Sequence, residues 1–437
     1  MRKDPPLDQL ILQLYARALE GGNLSTLLKR AFAQHELKPA QRTATVRTLF
    51  GLFHHERRID LALSEAGLKG TPHEHLRGRL MAWRMLSGER TTLQAKNALP
   101  GPKWAAVEHI NEHIAAEPDA ARRLGLRHSL EDFLAKALLE EYGEDAEALA
   151  KSLAQAAPLA LRANTLLTKR ESLLSELLDA DLAARKSDLA PQGLVLEEFS
   201  NPYALPAFAE GRFEVQDEGS QLVAELAAPP VQGLTIDYCA GAGGKTLAMA
   251  ALLNNRGRLV AVDTHAKRLE ELKRRARRAG AHNIQPVLLE DTDPEAPWPA
   301  ELEAYRGKAA RVVVDAPCSG LGVLRRKPEI RAKLRAGDVK RLTKLQLALA
   351  TRAADLLAPG GRLLYATCSL LAAENENIIA ALLETGGWEV LPPKAVFGKE
   401  RAEKLTSADG RFLKLLPHQH GCDGFFAAVL VRRAKSE

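Results

Sequence analysis

Leu234-Thr-Ile-Asp-Tyr-Cys-Ala-Gly-Ala-Gly-Gly-Lys-Thr246 passes from a short apolar run into a glycine-rich turn and on into a helix-forming segment. Gly241, Gly243 and Gly244 let the backbone turn tightly and approach a ligand, and the helix that follows points its N-terminus at that ligand. Two later apolar runs each lead to a cysteine, in Arg311-Val-Val-Val-Asp-Ala-Pro-Cys318 and in Tyr365-Ala-Thr-Cys368. In an open parallel sheet the ligand crevice lies beyond the carboxyl ends of the strands, so residues ending different strands converge. Asp237, Asp263, Asp315 and Cys368 all follow such runs.

Working outward from the turn, strand and helix patterns alternate from about residue 220. Strands are predicted near 234–238, 258–263, 284–290, 311–315 and 362–367, and helices near 244–254, 266–279, 338–357 and 374–384. That alternation predicts an α/β domain with a parallel, doubly wound sheet. Gly424-Phe-Phe-Ala-Ala-Val-Leu-Val431 reads as a late strand added antiparallel. Residues 129–219 mix a helical stretch ending at Pro158 with strand-like pieces such as Gly193-Leu-Val-Leu-Glu-Glu-Phe199, a small α+β connector. Residues 1–128 read as helices alone. Leu7, Leu10, Ile11, Leu14, Tyr15 and Ala18 recur at helical spacing, Asn23-Leu-Ser-Thr offers caps for a next helix, and others are predicted around 73–87 and 103–116. The division expected is therefore 1–128, 129–219 and 220–437.

The turn has three readings. Gly244-Lys245-Thr246 copies the end of a phosphate loop, but that pattern needs a glycine where this chain has Cys239. A dinucleotide fingerprint fails as well, because its third glycine position holds Thr246. What remains is an acidic residue, a turn of small residues, and a second carboxylate, Asp263, placed to accept ribose hydroxyls; taken alone, Asp263 reads equally well as a helix-capping turn residue. An adenosyl cofactor without a phosphate cradle fits this arrangement, which suits S-adenosylmethionine.

At 437 residues with a net charge of +6 and an isoelectric point near 9.0, the chain is long enough for two or three domains and moderately basic. No apolar stretch is long enough to cross a bilayer and Met1-Arg-Lys-Asp-Pro-Pro lacks a signal-peptide core, so a cytoplasmic protein with no membrane partner is expected. The four cysteines are widely spaced, which supports neither a zinc site nor a disulfide framework, and no metal is expected. Two basic clusters, Lys267 to Arg278 and Arg325 to Arg335, supply the phosphate attraction of a nucleic-acid binder, against the alternative of solvated helix faces.

A lone cysteine is usually inert packing, yet two at strand ends beside a cofactor turn point to covalent chemistry. Carbon 5 of cytosine is a poor nucleophile. A thiolate added at carbon 6 makes it enamine-like and able to attack a sulfonium methyl, and an acid such as Asp315 is placed to stabilise the adduct at the ring N3. The second cysteine is then available to assist release.

At these residues the chain resembles the RNA (cytosine-5-)-methyltransferase family, whose two signature cysteine motifs are Asp315-Ala-Pro-Cys318-Ser-Gly and Thr367-Cys368-Ser. The likeness runs from Leu161-Arg-Ala-Asn-Thr165 through Val215-Gln-Asp-Glu-Gly-Ser220, Arg325-Arg-Lys-Pro-Glu-Ile330 and Glu374-Asn-Glu376 to Asp423-Gly-Phe-Phe426. The N-terminal region resembles, more weakly, the NusB-like RNA-binding helical domain of the family's bacterial 16S ribosomal RNA branch. The resemblance implies a Rossmann-like class I methyltransferase sheet, a monomer acting on 16S rRNA, Cys368 as nucleophile, and Cys318 as the residue that aids release. It also implies cofactor contacts from Cys239, Ala240, Gly241, Ala242, Gly243, Gly244 and Lys245, and from Asp263, Asp291 and Asp315. Cys239 also reads as a small residue packed beneath the cofactor. The family usually has proline where Ala242 stands, so a less preorganised loop is expected. The same chemistry on tRNA or 23S rRNA, a phosphate-loop ATPase, and a non-catalytic RNA-binding assembly factor are the alternatives.

Overall fold

Runs of Val, Ile, Leu and Ala without a polar break become strands buried on both faces, the signature of a covered parallel sheet. In the computed structural model, which describes residues 5–197, 201–290, 293 and 296–433, these runs form the centre of an eight-stranded sheet. Its strands are β5 (Leu234–Asp237), β6 (Arg258–Asp263), β7 (Ile284–Leu288), β8 (Ala309–Asp315), β9 (Leu357–Thr367), β10 (Trp388–Leu391), β11 (Leu413–Leu415) and β12 (Phe425–Arg432). The order is β10-β12-β9-β8-β5-β6-β7, with β11 paired to β12. The β7-β6-β5-β8-β9 stretch is parallel, and β10, β11 and β12 add antiparallel at the β9 side.

The chain order reverses between β5 and β8, the switch point at which ligands bind in such sheets. Asp237 ends β5, Asp263 ends β6 and Asp315 ends β8, while Cys368 follows β9. Both sheet faces carry an apolar core, one around Leu222, Met249, Val313 and Phe425, the other around Ile236, Val314, Tyr365 and Phe426. The helices Gly244–Leu252, Ala266–Arg278, Ala336–Ala354 and Glu376–Glu384 follow their strands as expected. The late strand is present and pairs antiparallel with β9.

Four shorter strands, β1 (Leu159–Ala163), β2 (Ala184–Lys186), β3 (Gly193–Leu196) and β4 (Phe213–Val215), form a separate antiparallel sheet in the order β2-β3-β1-β4. With the helix Arg170–Asp179 they enclose Leu161, Leu173, Leu177, Leu194 and Phe213. The end of the predicted strand at residues 198–199 lies outside the described residues.

The chain divides into two compact units, Met1–Ala156 with Val323–Ala336, and Ala157–Gly322 with Gly337–Glu437. The first is helical, with Leu10, Ile11, Tyr15, Leu49, Phe53 and Trp104 in its core. Asn23 caps its second helix, its side chain accepting from the Thr26 N–H at 2.9 Å, and Thr71 with Glu74 closes a capping box on Pro72–Leu86. The boundary expected after residue 128 falls inside this unit, because Asp132–Tyr142 and Ala146–Leu153 pack on Ala120–His128.

The segment Val323–Ala336, which interrupts the second unit in sequence, is built into the helical one. Buried Arg331 donates to the carbonyls of His128 at 2.7 Å, Ser129 at 3.2 Å and Leu153 at 2.6 Å. Arg325 is also buried and donates to the Ala156 carbonyl. The second basic cluster is therefore not a uniform solvent-facing patch: two of its arginines close polar groups inside the helical unit.

Candidate active site

Three carboxylates surround the glycine turn, each held differently. Asp263 accepts the Gly241 N–H at 2.8 Å and the His265 N–H at 2.8 Å, so it fastens the glycine turn and the segment leading into the next helix to the end of β6. Asp237 is buried and accepts from the Thr246 hydroxyl at 2.6 Å. Burial pushes its carboxyl up to about 7, and Asp315 and Asp263 push the same way against that hydrogen bond. Asp315 lies 2.6 Å from the Lys245 ammonium. Burial alone would lower Lys245, but Asp315 more than offsets it and the ammonium stays above its ordinary range.

The turn needs its glycines for different reasons. Gly241 (φ +56°) and Gly243 (φ +85°) both occupy the left-handed region. A Cβ on Gly243 would also meet the Leu272 side chain at 2.7 Å, whereas a Cβ on Gly241 would point into open space. Ala242 has its carbonyl held by Arg275 at 2.7 Å. Arg275 is in turn paired at 2.9 Å with Glu214, which is 3% exposed and also binds Arg278. Arg275 of the first basic cluster thus braces the turn and Arg278 shares its carboxylate partner, while Lys267, Arg268, Lys273, Arg274 and Arg277 remain exposed on the same helix.

The two strand-end thiols meet. Cys318 Sγ lies 3.4 Å from Cys368 Sγ, in loops joined by the Gly322 N–H to the Cys368 carbonyl at 2.9 Å. The hydrogen bond to Cys368 and burial push the Cys318 thiol well above its usual value. Cys368 acts on the Lys245 ammonium in the same direction as Asp315, and that ammonium lies 5.3 Å from the centre of the Phe425 ring.

Cys239 is different. Burial and the fields of Asp237, Asp315 and Asp263 raise its thiol well above the usual value, and it packs beside the Ile236 and Val314 core. A neutral thiol surrounded by carboxylates is a poor nucleophile, so the packing reading suits Cys239. Asp291 lies outside the described residues. Cys239 through Lys245, Asp263 and Asp315 all gather at the switch point.

The residues fit S-adenosylmethionine. The buried Asp237 Oδ1 has no hydrogen-bond partner among the described residues, the Gly241 side of the turn is open, and the carboxylates of Asp237, Asp263 and Asp315 end strands at the turn, a donor set suited to a cofactor with a sulfonium and an ammonium group. The phosphate-loop reading does not fit, because the lysine such a loop would aim at phosphates is bound to Asp315.

Sequence reading missed three connections: Lys245 to Asp315, Arg275 to Ala242, and the Glu214 that holds Arg275. Helical spacing carried part of the last signal. Leu269, Leu272, Ala276 and Ala279 are buried, and Arg275 and Arg278 flank that face.

Comparison with known proteins finds relatives along almost the whole chain. A family model described as 16S rRNA methyltransferase RsmB/F matches residues 225–431, and one for the RsmF/B-like ferredoxin-like domain matches 131–201. A probable ribosomal RNA small subunit methyltransferase B of Synechocystis is 30% identical over 427 residues, covering 92% of this chain and 94% of that one. Among solved structures, PH0851 has a TM-score of 0.79 at 22% identity, covering 98% of this chain and 100% of that one. NSun6 of Pyrococcus horikoshii, solved with SFG, has a TM-score of 0.59 at 22% identity, covering 69% and 97%. These two share the fold. The chain itself, matched along almost its whole length by a relative of that name, belongs to the RsmB/F family of 16S rRNA methyltransferases, S-adenosylmethionine-dependent enzymes acting on RNA.

Proposed function

We propose that the enzyme methylates carbon 5 of a cytosine in 16S rRNA through a covalent bond between Cys368 and carbon 6 of the base. The observation that carries this reading is the pair of thiols 3.4 Å apart at the ends of adjacent strands, beside the Lys245–Asp315 ion pair. A binding module needs neither thiol. Bound S-adenosylmethionine supplies an electrophilic methyl group on a sulfonium.

The chain's own residues account for the remaining steps. Cys368 attacks as the thiolate, with the Lys245 ammonium nearby. As the S–C6 bond forms, the C5=C6 electron pair becomes available at carbon 5, which takes the methyl. Asp315, oriented by Lys245, is the group assigned to the N3 edge of the ring. Release requires transfer of the carbon 5 proton to a thiolate base, the C–H pair re-forming the C5=C6 bond as the C6–S bond breaks and its electron pair returns to Cys368. Cys318, in contact with that sulfur, is assigned to this stage. The exposed basic residues of Ala266–Arg278 supply phosphate contacts, and the helical unit is the candidate second RNA-binding element.

The test is incubation of wild type, Cys368→Ala and Cys318→Ala with labelled S-adenosylmethionine and small-subunit rRNA, followed by bisulfite mapping. Cys368→Ala should transfer no label, and Cys318→Ala should accumulate a protein–RNA species resistant to denaturant. Wild-type transfer by Cys368→Ala would end the assignment.

A further inference from the structure

Glu374 is wholly buried, and among the described residues no lysine or arginine forms an ion pair with it. A buried carboxylate without a cation is unfavourable unless directed donors surround it. Here there are four. Oε1 accepts the Ser319 N–H at 2.8 Å and the Gln346 side-chain amide at 2.9 Å. Oε2 accepts the Ser319 hydroxyl at 2.5 Å and the Ser369 hydroxyl.

The identity of those donors gives the arrangement its meaning. Ser319 directly follows Cys318 and Ser369 directly follows Cys368, so one carboxylate ties together the residues adjacent to both thiols. The two hydroxyl oxygens are themselves 3.1 Å apart. Gln346 also donates to the Pro317 carbonyl at 2.9 Å, which fixes the other flank of Cys318. Neighbouring bonds secure Glu374 in turn. The Tyr365 hydroxyl donates to its carbonyl at 2.7 Å, and Asn375 accepts from Thr367 at 2.5 Å while donating to the Ser369 carbonyl at 3.1 Å.

We propose that Glu374 is a positioning residue that holds the two cysteine loops in register, so that the releasing thiol stays in contact with the nucleophilic one. This rests on the cysteine roles assigned above. The carboxylate's field also favours the protonated form of Cys318. Loss of Glu374 should therefore slow release more than adduct formation, since the attack needs Cys368 alone and the release needs the pair.

A proximity measurement tests this without RNA or cofactor. Diamide, a two-electron thiol oxidant, joins two thiols as a disulfide only when they can meet, and peptide mapping reads the Cys318–Cys368 product. Glu374→Gln should form that disulfide at least tenfold more slowly than wild type, and the Ser319→Ala/Ser369→Ala variant, which keeps the charge but loses both hydroxyl links, should also be slowed. Glu374→Asp should recover part of the rate. In turnover, Glu374→Gln should raise the share of protein trapped on RNA while lowering product formation. Wild-type cross-linking by a folded Glu374→Gln would overturn the proposal; should that variant not fold, wild-type cross-linking by the serine variant would do so. Slowed cross-linking together with full activity in Cys368→Ala would instead retain the positioning role and reject the proposed chemistry.

Discussion

Asp237→Asn offers a test whose magnitude follows from the structure. Wild-type Asp237 is buried with its carboxyl raised to about 7 against an ordinary 3.8. Because the folded value is the higher one, the folded state binds the extra proton between these limits. The resulting stability is fully present below pH 3.8 and is lost as pH rises through 7. At about 1.4 kcal/mol per unit, the move from pH 5 to pH 8 should cost wild type about 3 kcal/mol through this group. Asparagine has nearly the same shape, keeps an oxygen for Thr246, and does not titrate. The difference in stability between variant and wild type should therefore shift toward the variant by about 3 kcal/mol across that interval, with other titrations cancelling in the comparison. Denaturant unfolding of the cofactor-free proteins at half-unit pH steps measures it. Binding should move the opposite way: the variant loses a buried anion facing the cationic cofactor, so its affinity for S-adenosylmethionine should fall. Parallel pH profiles for the two proteins would refute the reasoning, since Asp237 would then be ionised throughout.

Arg275→Ala removes a charged hydrogen bond from the Ala242 carbonyl, an interaction of about 1.5–3 kcal/mol, and calorimetry should show S-adenosylmethionine binding weakened about tenfold with Arg275→Lys in between. Adding Ala242→Pro to Arg275→Ala should recover about 0.4–1 kcal/mol by restricting the free loop. Arg331→Met should destabilise the helical unit by about 3 kcal/mol or more, since it strands three buried carbonyls; unfolding followed by Trp104 fluorescence, in a background with Trp83, Trp298 and Trp388 replaced by phenylalanine, reads this. Replacing Lys267, Arg268 and Arg277 with glutamine should reduce the slope of log affinity for single-stranded RNA against log salt by about 2, at roughly 0.7 for each phosphate no longer neutralised. An unchanged slope would place the RNA elsewhere.

What the sequence made legible was set by local chemistry. The parallel strands could be read because their apolar runs stop abruptly at Asp237, Asp263, Asp315 and Thr367, and the same stops located the crevice. β10 and β11 were missed: each is only three or four residues long and defined by pairing to β12. The arginines show the limit most clearly. Arg331 and Lys333 look alike in sequence, yet one is buried on three carbonyls and the other is exposed. Nothing local marks Val323–Ala336 as part of the helical unit. The hydrogen bond between Arg275 and Ala242 spans 33 positions, and helix periodicity could give the arginine's face but not its partner. Glu374 was visible as a motif, but its role depends on four donors that only the folded chain assembles.

The most direct test of the central claim is to react the enzyme and S-adenosylmethionine with small-subunit RNA containing 5-fluorocytosine, in which fluorine replaces the carbon 5 proton that must be lost for release. Peptide mapping of the trapped product should find the methylated base joined to Cys368. Attachment at Cys318, or no covalent product from an RNA whose unmodified form is methylated, would contradict the account.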